Sequence, residues 1–280
     1  MSQIAPLRNK IRAIQTTKKI THAVRLVSMS SFSKLEKESI CMNYCTDNLT
    51  KVFVTLLAQV PDWKHRALFP QDILDSNPLI ILISSSKGLC GSFNSNLFRY
   101  FDRSFFIEEH QTPSFIAIGK KAVKFLDEKR YGNILCRYPE LTHANFTTIA
   151  QELTDLICEG KEIYSSVLFY SNHFKNFFIQ APAKQTLIPL SLQEAEKKYI
   201  DFEWEQDKTE ILNYMVFRYI KGSILNLLFQ SLISESAARF LTMDKATTNA
   251  EEYLEDLTLQ YNKSRQALIT REVSELSANF

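Results

Sequence analysis

The fold is decided by the stretch Asp207–Ala278, DKTEILNYMVFRYIKGSILNLLFQSLISESAARFLTMDKATTNAEEYLEDLTLQYNKSRQALITREVSELSA. Its only glycine is Gly222, and no proline follows Pro189. Helix breakers are therefore almost absent over roughly 70 residues, while Leu, Glu, Lys, Gln and Ala are plentiful, which predicts one unbroken helix. At about 1.5 Å per residue such a helix is roughly 105 Å long, several times the width of a small domain. Leu212, Met215, Tyr219, Ile224, Leu227, Leu228, Leu232, Ala238 and Leu241 recur at steps of three and four, as do Leu254, Leu257, Tyr261, Leu268 and Val273. The stripe is narrow, which suits a coiled-coil seam better than an all-round buried helix, and a seam needs a partner.

The partner lies at the other end of the chain. Residues 4 to about 55 read as a second long helix, with Pro6 in the first turn, where its missing N–H costs nothing. Ile4, Leu7, Ile11 and Ile14 form one stripe that Ile20, Val24, Val27 and Leu35 continue. This helix is basic, with Arg8, Lys10, Arg12, Lys18, Lys19, Arg25, Lys34 and Lys37, and His22 among them. Asp244, Glu251, Glu252, Glu255 and Asp256 on the C-terminal helix would face it in an antiparallel pair. Surface ion pairs contribute a fraction of a kcal/mol each, so they set register more than stability.

Between the helices the pattern changes. Ala67–Pro78 reads as a linker rich in turn residues. Leu79–Ser84 (LIILIS) is a wholly apolar run, the mark of a strand buried on both faces. The expected order continues with a helix over Asn96–Glu109, a strand over Phe115–Ile118, a helix over Lys120–Lys129 and a strand over Ile134–Tyr138. A helix over Thr147–Glu159, a strand over Ser166–Tyr170 and an edge strand over Phe177–Leu190 complete it. Alternating strands and helices imply a mainly parallel, Rossmann-like α/β sheet. The fold class is thus α/β: an antiparallel coiled coil of terminal helices, 1–58 and 207–280, with an inserted α/β domain over 70–200.

Composition bounds the function. Hydrophobic residues make up 45% and charged residues 23% of the 280 residues, an ordinary soluble balance. A net charge of +2 argues neither for nor against nucleic acid, but the basic N-terminal face carries no recognition motif and has an acidic partner within the chain, so no nucleic-acid partner is expected. The opening MSQIAPLRNK lacks the hydrophobic core of a signal peptide, and no apolar run approaches the roughly 18 residues of a membrane span, so the reading is a cytosol-facing protein. The five cysteines, Cys41, Cys45, Cys90, Cys136 and Cys158, have no zinc-ribbon spacing and read as buried, reduced thiols. Cys41 and Cys45 share a helix face, but two thiols alone make a poor metal site. The histidines are scattered, and neither a metal site nor a cofactor suggests itself.

The most enzyme-like feature is Ser84–Asn94, SSSKGLCGSFN, which follows a strand and precedes a helix. Gly88, Gly91 and Lys87 there suit a phosphate cradle at a helix N-terminus, yet neither GxxxxGK[ST] nor GxGxxG spacing is present. No histidine lies nearby in sequence to activate Cys90, and a tight strand-to-helix turn accounts for the same residues. Two readings stand on the residues alone: a coiled coil bearing an α/β domain that grips something larger, and a nucleotide-binding α/β enzyme with a coiled-coil oligomerisation arm.

Three stretches go further. Leu7–Lys34 (LRNKIRAIQTTKKITHAVRLVSMSSFSK) resembles the N-terminal helix of the gamma subunit family of F-type ATP synthases, patterned I-x-x-T-x-K-I-T-x-A-M-x-M-V-A-A-S-K. Gly88–Asn94 (GLCGSFN) is similar to that family's R-G-L-C-G-x-x-N turn. Ser234–Glu275 is similar to its C-terminal signature, and QAPAKQTLIPL fits as well, so the resemblance spans essentially the whole chain. Departures are Val24 for the usual Met, Ser31 for Lys, Asp244-Lys245 for Lys-Ala and Gln206 for Pro.

The resemblance implies a non-catalytic rotor shaft without a cofactor. Its partners would be the alpha and beta subunits, the epsilon subunit and the c-ring, with membrane contact only through the c-ring. It further implies that Arg265, Gln266, Thr270 and Glu272 hydrogen-bond the beta subunits' catch loop and that Lys19 and Arg239 face the ring. Phe202, Trp204 and Glu205 would form the foot against the c-ring and epsilon, and Gly88, Cys90 and Gly91 a structural turn. The plant-type dithiol insertion is absent, and the expected location is the cytoplasmic face of a bacterial inner (plasma) membrane.

Overall fold

The computed structural model describes residues 4–65, 67–69, 77–105, 113–190 and 207–278. The chain divides into two compact units, Met1–Ser30 with Arg239–Phe280, and Ser31–Ala238. Two helices run through both: α1, Ile4–Ala58, and α5, Lys208–Ala278, of 55 and 71 residues. Among the described residues no helix is long and apolar enough to cross a membrane.

In the first unit, α1 and α5 pair antiparallel. Lys18 Nζ lies 3.0 Å from Glu251 Oε1, and Arg25 donates to Asp244 Oδ1 at 2.8 Å. Between them the buried Thr247 hydroxyl donates to Met243 O at 2.7 Å and lies 3.0 Å from the Thr21 hydroxyl. The least exposed residues of α5 here are Met243, Thr247, Ala250, Leu254, Leu257, Tyr261, Ser264 and Leu268, an unbroken alternation of four and three. α1 keeps the same rhythm through Ile4, Leu7, Ile11, Ile14, Lys18, Thr21, Arg25 and Ser28. The expected continuation through Ile20 and Val27 is corrected. Both residues are exposed, at 56% and 66%, because the heptad register passes through polar positions instead. Val273, expected in the seam, is likewise exposed at 57%.

In the second unit, α2 (Phe93–Phe105), α3 (Lys120–Lys129) and α4 (Phe146–Cys158) accompany five strands. These are β1 (Pro78–Ile83), β2 (Ser114–Ile118), β3 (Asn133–Tyr138), β4 (Ser166–Asn176) and β5 (Ile179–Ile188), in the sheet order β3-β2-β1-β4-β5. The inner pairs are parallel and β5 runs antiparallel to β4 at the edge. Side chains alternate across β1: Ile80 and Leu82 pack with α2 and α3, whereas Leu79, Ile81 and Ile83 belong to the core shared with α4, α1 and α5. β4 runs six residues beyond the expected Tyr170. Past that residue it leaves β1 and pairs only with β5, so its polar run Ser171-Asn172-His173 lacks the apolar signature of a central strand.

Here α1 and α5 also pair directly. Phe53, fully buried, stacks on Tyr219 with centroids 5.1 Å apart, and Gly222 lets α5 approach Leu49, since a Cβ would stand 2.8 Å from its Cδ2. The narrow stripe expected for α5 is corrected over Leu228–Ala238, where eleven consecutive residues are buried. α1 and the sheet domain are packed in one core with α5, and no face of this stretch remains for water. Gln230 donates to Asn43 Oδ1 at 2.9 Å within that seam.

Candidate functional site

An open α/β sheet binds ligands outside the carboxyl ends of its strands, at the point where strand order reverses. That point lies between β1 and β4. Three serines follow β1, and each braces a different segment. The Ser84 hydroxyl accepts the Ala122 N–H at 2.6 Å and thereby occupies a donor in the first turn of α3. The Ser85 hydroxyl donates to Lys87 O at 2.8 Å and accepts from Asn94 Nδ2 at 2.7 Å. The Ser86 hydroxyl accepts the Leu141 N–H at 2.8 Å.

Asn94 completes the turn. Its Oδ1 accepts the Ser85 N–H at 3.0 Å, and its Nδ2 also lies 3.3 Å from Cys90 Sγ. Gly91 has φ 57° and Leu89 φ 64°, so the loop doubles back through two left-handed residues, whereas a Cβ on Gly88 would meet open space. Gly119, with φ 90°, brings its backbone so near Ser84 that a Cβ would stand 2.2 Å from the Ser84 carbonyl oxygen. On the β4 side Asn172 Nδ2 donates to Phe93 O at 3.2 Å. Cys90, Phe93 and Ala238 then form a buried cluster that seats α5 against the turn. The Ser85 and Asn94 side chains at this turn are thus bonded to each other.

Of the five thiols only Cys90 is buried. Cys136 and Cys158 are half-buried and Cys41 and Cys45 exposed, which corrects the expectation of buried thiols throughout. The exposed pair falls on the solvent side because α1's seam takes Ser39 and Met42. Among the described residues no group of three or more His, Cys, Asp or Glu side chains is placed to hold a metal. The perturbed tyrosines are structural. Burial, then a 2.5 Å hydrogen bond to Asp102, pushes the Tyr131 phenol well up, while burial and the Glu162 charge push Tyr164 to about 12. Asp207 caps α5: its Oδ1 accepts the Thr209 and Glu210 N–H groups at 2.7 and 3.2 Å, which lowers its carboxyl.

The other surface of interest is the end of α5. Arg265 and Glu272, seven residues apart, form one exposed row, and Gln266 and Thr270, four apart, form another. The Thr270 hydroxyl donates to Gln266 O at 3.0 Å. At helical spacing Ile269, Val273 and Leu276 fall between those rows, and all three are more than half exposed. The sequence reading missed Ile269 and Leu276, although their spacing of seven was visible. Lys19 is exposed on α1 and Arg239 half-buried on α5. Phe202, Trp204 and Glu205 lie outside the described residues.

The class is therefore a pair of long, self-pairing terminal helices with an α/β domain inserted between them in sequence, the turn after its central strand braced by its own side chains. A family profile described as ATP synthase matches residues 3–279. The chain is 32% identical to the ATP synthase gamma chain of Christiangramia forsetii, over 99% of this chain and 97% of that one. It is 30% identical to the ATP synthase gamma chain of Geobacter metallireducens, with the same coverages. A chain of the Euglena gracilis mitochondrial ATP synthase, in a structure of OSCP, F1 and the c-ring, superposes with a TM-score of 0.66 at 16% identity. That superposition covers 99% of this chain and 93% of the other. A chain of the Tetrahymena thermophila mitochondrial ATP synthase central stalk and c-ring superposes with a TM-score of 0.58 at 23% identity, over 81% and 99%. The chain belongs to the ATP synthase gamma chain family. That makes it a non-catalytic subunit of ATP synthase and a peripheral part of a membrane-associated complex.

Proposed function

We propose that this chain is the central rotor shaft of a bacterial F-type ATP synthase, on the cytoplasmic face of the inner (plasma) membrane. Its α1–α5 coiled coil turns within a ring of alternating alpha and beta subunits, and its α/β domain meets the epsilon subunit and the c-ring. An asymmetric surface presented in turn to three beta subunits gives each a different contact set. Differential contact with a partner's conformations is what shifts their populations.

The observation that supports this reading best is a gamma-chain likeness over 99% of the chain joined to the exposed end of α5. There Arg265, Gln266, Thr270 and Glu272 offer hydrogen bonds to the beta catch loop, and Ile269, Val273 and Leu276 offer an apolar row to the surrounding sleeve. Lys19 and Arg239 face the ring, and Phe202, Trp204 and Glu205 form the foot. Gly88, Cys90 and Gly91 serve as a structural turn, supported by the internal bonding of Ser85 and Asn94. The test is reconstitution with alpha and beta subunits from the same source. A stable complex whose Mg-ATP hydrolysis requires this chain supports the proposal. Failure to assemble, with ATP binding by this chain alone, overturns it in favour of a nucleotide-binding enzyme.

A further inference from the structure

Cys41 and Cys45 stand one turn apart on the solvent side of α1, within the unit that holds the sheet, and both are exposed. Their neighbours Ile40 and Tyr44 are exposed as well, at 74% and 70%, so an apolar surface flanks the two thiols. At one turn's spacing the two cysteine side chains share one face of α1, and hydrogen bonding with Cys41, then its charge, pushes the Cys45 thiol up. The pair therefore meets a ligand as one bidentate group.

What it can hold follows from helix geometry. Residues four apart on a helix have Cβ atoms about 5–6 Å apart. A disulfide needs them at about 3.8 Å, so a Cys41–Cys45 bond would require α1 to deform. A single bridging atom with two sulfur bonds of about 2.3 Å, the length zinc makes, reaches across without that movement. Zinc itself needs four ligands, and no third acidic, histidine or cysteine ligand joins the pair among the described residues. The chemistry that remains is a soft centre satisfied by two thiolates.

We propose that Cys41 and Cys45 form a dithiol site for trivalent organoarsenicals, closing one turn of α1 through a sulfur–arsenic–sulfur bridge. The step is a condensation. An arylarsonous acid, R–As(OH)2, loses both hydroxyls, two As–O and two S–H bonds break, two As–S bonds form, and two waters leave. Arsenic stays trivalent and the cysteines are not oxidised. The aryl group lies against Ile40 and Tyr44. Nothing in this proposal depends on the shaft reading.

The experiment adds one equivalent of phenylarsonous acid to the full chain, reads the intact mass, and challenges the adduct with excess 2-mercaptoethanol or 2,3-dimercaptopropanol. One adduct per chain is expected, resistant to the monothiol and released by the dithiol, with the far-ultraviolet circular dichroism unchanged. Cys41→Ser and Cys45→Ser should each weaken retention by about a hundred-fold or more, because the second bond is intramolecular. Retention at the wild-type level in either variant overturns the proposal, as does loss of helix on binding. Ready conversion of the pair to a disulfide by diamide also overturns it, since α1 would then not be holding the sulfurs apart.

Discussion

Replacing Asn94 by Ala tests whether the Ser84–Asn94 turn is a brace or a ligand cradle. The carboxamide accepts the N–H of fully buried Ser85 and donates to the Ser85 hydroxyl, at 3.0 and 2.7 Å. Alanine orphans a buried N–H, which costs about 1–3 kcal/mol, and removes a second bond that contributes about 1 kcal/mol. The sum is about 3 kcal/mol. Asn94→Asp retains the acceptor and loses only the donor, so about 1 kcal/mol is expected of it. Urea unfolding followed by circular dichroism reads both as shifts of midpoint at constant slope. A loss of less than about 0.5 kcal/mol for Asn94→Ala, the level of an unconstrained surface change, would refute the brace. So would an aspartate variant as unstable as the alanine one.

Other expectations follow from the same contacts. Phe53→Ala empties a fully buried ring site against Tyr219 and should cost about 3–5 kcal/mol, read by the same unfolding assay. Asn43→Leu combined with Gln230→Leu removes a partly buried polar pair whose buried Gln230 Oε1 has no partner. Its unfolding midpoint should match or exceed the wild type, whereas Asn43→Leu alone should destabilise. Tyr164 is raised from 10.0 to about 12, so the folded state favours the protonated phenol. The stability this contributes is whole below pH 10 and is lost as pH rises through about 12, and Tyr164→Phe should flatten that alkaline decline in pH-dependent melting. If Arg265 and Gln266 make the hydrogen bonds to the beta subunit proposed above, Arg265→Ala with Gln266→Ala should lower synthesis and hydrolysis by the assembled complex about ten-fold or more while the α/β domain's melting is unchanged.

The long helices were legible because α5 holds no Pro and only one Gly, Gly222, and because apolar residues repeat along it. The strands of the parallel core were legible from runs such as LIILIS. What could not be read was the partner of each face. Ile20 and Val27 look like seam residues, but the heptad passes through Thr21 and Ser28, and only packing against Thr247 reveals which row is inside. Polar residues 230–236 of α5 look solvated, yet Gln230, Ser231, Ser234, Glu235 and Ser236 are buried, because a helix covered by both another helix and a sheet domain shows no amphipathic stripe. The turn residues announced a turn, whereas the bracing of three segments by Ser84, Ser85 and Ser86 depends on contacts up to 55 residues away.

The central claim is torque transmission, and single-molecule rotation reads it directly. The ring of alpha and beta subunits is fixed to a surface and a nanorod is attached to the α/β domain of this chain. Mg-ATP should then drive stepwise, unidirectional turning that stops when ATP is removed. Full-rate hydrolysis with only random wobble of the rod would contradict the account.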